Sequence, residues 1–593
     1  MFEELPAMTD ISNPISRRQA LLGTLAGSLA VGAAGCASQP KMGAFSSARG
    51  VADAQFAQGV ASGDPMATQV ILWTRAAPVG PEATPMVPVE WQVATDRDFT
   101  QVVQSGSVTT GPARDWTVKV DVAGLTPGAT YFYRFATGNG TSPVGRTKTL
   151  PRGAVEAARF AIVSCSNYPF GYFNAYDHIA RRDEIDAVIH LGDYIYEYGP
   201  DGYGAEVGAA LGRQHQPARE IVSLQDYRVR HRQYKSDMAS QAMHAAHPLI
   251  AVWDDHETAN NSWENGAQNH QPETEGDWEP RRRAAMQAYY EYMPVREPEG
   301  RPLHQLYRAF EWGDLLTLTA IETRLTARVE EISLAEIAGK FSTKEEAQAW
   351  YDELKQDQSR YLMGEDQLAF VTAAMGQSRA KGQPWRLVAN QVIMAEVRNA
   401  DLSPYASEEF IAEFEQQWAG IRPFIELSKF ELPQNFDAWD GYPAARTRLY
   451  DRLRAQDVSD LIVLTGDTHE WWANDLYAED GTRMGVELGT SAVTSPGGSV
   501  YLGDMAEDLS LLLTRHNPSI RYHSSQTRGY IDLALTPAGG HADFVSVSTV
   551  TEPDYEAIIT AGFDLQKSGN TVEFGKGSGM DLKQTALYRG MGD

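Results

Sequence analysis

The spacing of apolar residues changes character along the chain. Between residues 55 and 150 it alternates with period two over short runs such as Gln69–Arg75, Val89–Ala94, Thr117–Val122 and Thr130–Thr137. Period two sets one face of a strand against a core and the other towards solvent. Turn residues separate the runs, as in Gly124-Leu125-Thr126-Pro127-Gly128 ahead of Tyr131-Phe132-Tyr133. A β-sandwich with a structural role is expected there. From 157 to 566, strand-like runs alternate with longer helical patterns, which predicts an α/β (α+β) core with partly parallel strands. Leu224–Ala246 and Pro280–Tyr292 read as helices. A stretch from about 325 to 440 reads as a helix-rich insertion, with Thr343–Gln356 and Glu365–Met375 amphipathic and a strand at Trp385–Ala389. Gly485–Gly489 is a further apolar piece, and Tyr530–Leu535 and Asp543–Val550 read as edge strands. From Lys567 apolar residues thin out, and 567–593 is expected to be a flexible tail.

Four apolar runs in the core region end in side chains suited to metals. They are Phe160–Ser166, Ala187–Tyr196, Ile250–Glu257 and Leu461–Glu470. Each delivers some of Cys165, Asp193, Tyr196, Asp254, Asp255, His256, Asp467 and His469 to a strand end. In open α/β sheets, ligands bind beyond the carboxyl ends of the strands. Asp193, Asp254, Asp255, Glu257 and Asp467 gathered in one crevice would repel one another and raise their own pKa values unless a cation sat among them. Any one of these acids alone reads equally well as a helix cap or solvated loop residue. Four segments together point to a polynuclear metal site. A thiol and a phenol favour a trivalent, strongly Lewis-acidic ion, whereas oxygen-rich positions suit hard cations such as calcium.

Composition narrows the partners. The net charge of -27 argues against nonspecific binding to nucleic acid or anionic membranes. An anionic substrate would then need local cations, which a metal cluster supplies. At the N-terminus, Ser16-Arg17-Arg18 precedes an uncharged, Gly- and Ala-rich run of about 16 residues, too short to span a bilayer and suited to a signal segment. Residues 1–36 therefore read as a twin-arginine signal and 37–54 as a linker. Export to the periplasm or beyond, without a membrane span after signal removal, is expected. Cys36 closes Ala33-Ala34-Gly35-Cys36, a lipobox with Ala in place of Leu, and offers a lipid-anchor site. Cys165 is the one other cysteine, so a disulfide framework is excluded. A lone thiol in an oxidising compartment is a liability unless it is buried or metal-bound.

The spacing Gly192-Asp193-x-x-Tyr196 resembles the purple acid phosphatases, in which the tyrosine binds ferric iron. Asp254-Asp255-His256-Glu257 stands where that superfamily carries Gly-Asn-His-Glu, and Gly466-Asp467-Thr468-His469 where it carries Gly-His-x-His. Together with Gly59–Pro65, Trp73-Thr74-Arg75, Ser164–Asn167, His190–Gly199, Trp253–Asn261, Tyr289–Arg296, Leu464–Trp472 and Gly489-Thr490-Ser491, the chain resembles the PhoD-like alkaline phosphatases. Glu322-Thr323-Arg324 departs from the family's Asp-Thr-Arg.

The resemblance implies a fibronectin- or Ig-like sandwich ahead of a calcineurin-like metallophosphoesterase core of two packed mixed sheets flanked by helices. It implies ferric iron with one or two calcium ions. Cys165, Asp193, Tyr196 and His469 would hold the iron, and Asp193, Asp255, Asn390 and Asp467 the calcium side, with Asp254 as the other acid of its pair. His256 would protonate or stabilise the leaving oxygen, or else be a supporting core histidine. Asn261 and Arg324 would contact phosphate, or else be a solvated loop residue and a surface ion pair. The expected activity is hydrolysis of small phosphate mono- and/or diesters at alkaline pH. The alternatives are a phospholipase D-like or nucleotide-directed phosphodiesterase, and a binding protein with a degenerate site.

Overall fold

The computed structural model describes residues 54–79, 86–138, 140–415, 420–502 and 505–575. The signal, the linker up to residue 53 and Cys36 lie outside them. Among the described residues no helix is long and apolar enough to cross a membrane.

Two large mixed sheets carry the core. The first has ten strands, and its centre is a parallel set, Ala158–Val163, Ala187–His190, Pro248–Ala251 and Val60–Gly63. The second has seven strands around the parallel set Leu316–Ala320, Trp385–Ala389, Leu461–Thr465 and Arg483–Gly489. Buried parallel strands read as unbroken apolar runs, and Ala187–His190, Pro248–Ala251 and Leu461–Thr465 are buried at every position. The sheets face each other across one apolar core: Phe160 packs edge-on to Trp312 with ring centres 4.9 Å apart, and Trp471 stacks on Phe544 at 5.0 Å. Beyond the second sheet a separate core joins its strands to the helices Glu365–Ala380 and Pro443–Arg454.

The N-terminal strands form the expected sandwich. Its core holds Val70, Leu72, Val89, Val118, Tyr133 and Phe135, and the Tyr131 hydroxyl accepts from the Thr126 amide at 2.9 Å across the turn. One of its layers is not separate from the core, because Val60–Gly63, Gln69–Arg75 and Thr117–Ala123 continue the ten-stranded sheet from Pro248–Ala251.

Four element expectations need correction. The expected edge strands Tyr530–Leu535 and Asp543–Val550 are interior strands of the ten-stranded sheet, Arg528–Leu535 and Gly540–Val547, each paired on both sides. The helix expected over Leu224–Ala246 is two helices, Leu224–Lys235 and Met238–Ala246, because Asp237 caps the second by accepting from the amides of Ala239 and Ser240. Glu365–Met375 runs on to Ala380. The chain from Lys567 stays in the sheet, where Ala557–Ser568 turns at Gly569 into Thr571–Phe574 and buries Val572. Only residues 576–593 of the expected tail lie outside the described residues.

Candidate metal centre

The parallel strands of both sheets end at one crevice. Cys165 lies just past Ala158–Val163, Asp193 past Ala187–His190, and Asp254–Glu257 past Pro248–Ala251. Arg324 lies past Leu316–Ala320, Asn390 past Trp385–Ala389, and Asp467 and His469 past Leu461–Thr465. The chain turns sharply at these points. Cys165, Asp193, Asp467 and His469 have φ of 60°, 56°, 65° and 61°. That left-handed conformation costs on the order of 1 kcal/mol at each non-glycine position, and four such residues at one site mark a backbone shaped for function. At Gly192 only glycine fits: its φ is 114°, and a Cβ there would lie 2.4 Å from Asp254 Cβ.

Three overlapping sets of side chains each bring their donor atoms within 4.8 Å of one another: Cys165, Asp193 and His469; Asp193, Asp255 and His256; and Asp254, Asp255 and Asp467. Asp193 belongs to the first two, so its carboxylate lies between them. Its Oδ2 is 3.4 Å from Cys165 Sγ and accepts from the Tyr196 hydroxyl at 3.1 Å. The Tyr196 oxygen is also 3.3 Å from His469 Nε2 and accepts from Ser495 at 2.7 Å. His469 Nδ1 faces the Pro496 carbonyl at 2.9 Å, which leaves Nε2 for the centre.

The charges do not balance. Asp193 Oδ1, Asp254 Oδ2 and Asp255 Oδ1 are buried without a hydrogen-bond partner, and buried carboxylate oxygens are costly to leave so. Burial and the Asp255 and Asp254 charges push Asp193 well above the usual carboxylate range against the pull of His256, and burial with Asp254 and Asp437 does the same to Asp467. Burial likewise lifts the Cys165 thiol and the Tyr196 phenol, with Asp193 adding to both. Burial lowers His469 to about 3, so this imidazole is neutral. This donor set fits metal ions: it combines neutral imidazole, an unpaired carboxylate face, and thiol and phenol groups that a nearby cation would deprotonate.

Among the described residues Arg324 is the one arginine paired with these acids. It is fully buried, donates to Asp254 Oδ1 at 2.5 Å, pairs with Asp437 at 2.8 Å, and lies 3.4 Å from Asp467 and 3.5 Å from Asp255. Its burial excludes the surface ion pair considered from sequence. Asp255 Oδ2 accepts from the Asn261 amide at 2.6 Å, and the Asn261 side chain donates to Glu331. Asn390 is fully buried at its strand end, where Nδ2 donates to the Val392 carbonyl at 2.6 Å and Oδ1 accepts from Trp439 at 3.4 Å. His256 lies over the Tyr196 ring at 4.2 Å, and its Nδ1 meets Glu197 Oε2 at 2.7 Å. Burial alone would depress His256, but Asp255, Glu197 and Asp193 outweigh it and hold the ring protonated.

Several supporting residues carry no motif. Glu257 accepts from the amides of Asp193, Tyr194 and Asp254 at 3.1, 2.7 and 2.9 Å, clasping two of the segments together. Glu322 accepts from Trp253 and from the amides of Arg324, Leu325 and Thr326, closing the turn that carries Arg324. Glu197 directly follows Tyr196, yet nothing in the sequence says that it meets His256, 59 residues away.

Two packed mixed sheets, with acids, imidazoles, a thiol and a phenol meeting beyond their parallel strands, are the architecture of the metallophosphoesterase class of hydrolases. Comparison with known proteins takes this further. A family model for PhoD-like phosphatases matches residues 160–544, and one for their N-terminal domain matches 40–151. The chain is 36% identical over 575 residues to alkaline phosphatase D of Bacillus subtilis (strain 168), a match covering 94% of this chain and 88% of that protein. It is similar to a solved structure of PhoD with a TM-score of 0.72 and 32% identity, over 91% of this chain and 96% of that one. The chain belongs to the PhoD-like phosphatase family and is a phosphoric ester hydrolase.

Proposed function

We propose that the protein is an exported, metal-dependent phosphatase that hydrolyses phosphate mono- and/or diesters. The observation that carries this is the convergence of Cys165, Asp193, Tyr196 and His469 beside Asp254, Asp255 and Asp467, with three buried carboxylate oxygens left without a hydrogen bond. Cys165, Asp193, Tyr196 and His469 would hold ferric iron. Asp193, Asp255 and Asp467 would hold calcium, with Asn390 and Asp254 completing that side. Bound there, the ions would supply the positive charge that polarises a phosphoryl group and acidifies the attacking water.

The chain's own groups do the rest. Glu197 pins His256 Nδ1, so Nε2 is the nitrogen that would give its proton to the leaving oxygen. Asn261, tied through its amide to Asp255, stands at the rim where a phosphoryl oxygen would enter. Arg324 offsets part of the carboxylate charge from behind. The twin arginine at Arg17-Arg18 supports folded export to the periplasm or beyond by the twin-arginine machinery, with Cys36 as the lipid-anchor site.

The test is chelation. Removal of metal should abolish hydrolysis of 4-nitrophenyl phosphate and its diester, and iron with calcium should restore it. Full activity after exhaustive chelation and dialysis would rule the proposal out.

A further inference from the structure

The candidate centre opens into a cleft of about 960 Å³ whose two walls differ in chemistry. One wall is polar and continuous with the centre. His469 and Thr468 form part of it, as do Asn261 and Glu331. The other wall is apolar and comes from the helices Glu408–Phe414, Ile421–Ser428 and Met505–His516. Leu402, Phe410, Phe414, Phe424, Leu509 and Leu512 line it. These side chains form one cluster with Ile421 and Ile425, which also line the cleft, so the wall is a packed surface. No lysine or arginine lines the cleft among the described residues. A substrate carrying further phosphates beyond the scissile one, such as a nucleoside polyphosphate, would find no cation there.

We infer that this cleft seats a hydrocarbon substituent of the phosphate ester, with the phosphoryl group at the Asp193–His469 end and the chain against Phe410, Phe414, Phe424 and Leu512. The preferred substrates are then amphiphilic phosphate esters taken up as single molecules. The inference rests on the phosphatase proposal and adds the substrate class to it. Moving a methylene out of water onto an apolar wall is worth about fourfold in binding. The polar wall meanwhile keeps the phosphate end hydrogen-bonded. A chain bound with its phosphate reversed would leave Glu331 and Asn261 against hydrocarbon, which is costly.

The test is a series of n-alkyl phosphates from methyl to octyl, each assayed below micelle formation and the octyl ester also above it, with the full-length metal-loaded protein. The expected kcat/KM rises about fourfold per methylene over the first several carbons. Phe410→Ser and Leu512→Ser should each cut the octyl-to-methyl ratio at least about tenfold, and Leu512→Met should preserve it. A flat series with methyl phosphate turned over would overturn the inference and leave the phosphatase proposal standing. No turnover anywhere in the series, nor of 4-nitrophenyl phosphate, would remove both. An octyl rate that climbs only above micelle formation would assign the preference to an aggregated surface and overturn the cleft. A flat series in which Phe410→Ser converts a dimer to a monomer would give the apolar wall to a second copy of this chain.

Discussion

The role proposed for His256 predicts a dependence on the leaving group. Glu197 is fully buried, and its carboxylate is fully engaged: Oε1 accepts from the Asn260 amide and the Asn269 side chain, both at 2.8 Å, and Oε2 meets His256 at 2.7 Å. Glu197→Gln keeps the first two bonds but replaces the anionic partner of the imidazole by an amide N–H, so the protonated ring loses the Glu197 share of its stabilisation while Asp255 and Asp193 remain. A buried hydrogen bond to a charged group is worth about 1.5–3 kcal/mol, which converts to a rate loss of about 10- to 100-fold. His256→Asn removes the proton donor itself and should cost about 100- to 10,000-fold. Those losses apply to an alkyl leaving group, which cannot depart as the alkoxide. Nitrophenolate departs without a proton, so both variants should lose less than about tenfold on 4-nitrophenyl phosphate. The assay is kcat/KM for matched alkyl and nitrophenyl esters in the wild type and both variants. Equal losses on both esters would refute the proton-donor role and leave His256 a supporting core histidine.

Other consequences follow from single features. Glu257→Ala strands three buried amides, and at about 1 kcal/mol or more each the urea midpoint should fall by the equivalent of about 3 kcal/mol; an unchanged midpoint would mean that Glu257 is not the clasp described. Burial lowers His190 and His231 to about 3, so both stay neutral in the fold but gain protons on unfolding once the pH drops below about 6.5. The unfolded state binds more protons between pH 6.5 and 3. Stability therefore falls through that window on acidification, by about 2 kcal/mol per histidine at pH 5. His231→Gln should remove its share, and parallel stability curves for wild type and variant would contradict this. Gly192→Ala should cost at least about 2 kcal/mol and most of the activity, because its Cβ would press on Asp254 in a left-handed backbone. A variant of wild-type activity and thermal midpoint would show that this turn can relax.

The strand ends were legible because buried parallel strands carry unbroken β-branched runs, and an acid, thiol or imidazole at the end of such a run stands out. What supports them was not, because it depends on pairing across distance. Glu197 meets His256 from 59 residues away, Glu257 reaches Asp193 from 64, and Arg324 reaches Asp437 across 113. None of these residues shows a local pattern. Arg324 followed a buried strand, but its place among four carboxylates shows only in the fold. The join between the sandwich and the core was hidden for the same reason, since Val60–Gly63 reads as any short strand and its partner Pro248–Ala251 lies far along the chain. Asp237 was legible as a cap in principle, but the helical pattern on both sides masked it.

The central claim is that a thiol and a phenol bind one metal while acids bind its neighbour. It is tested most directly by the metal content and visible absorption of protein purified after export by its own signal. The expected result is iron together with calcium and a visible band from the Tyr196 phenolate. Tyr196→Phe should abolish that band, and Cys165→Ser should alter it. Colourless, active protein holding stoichiometric zinc would contradict the metal assignment.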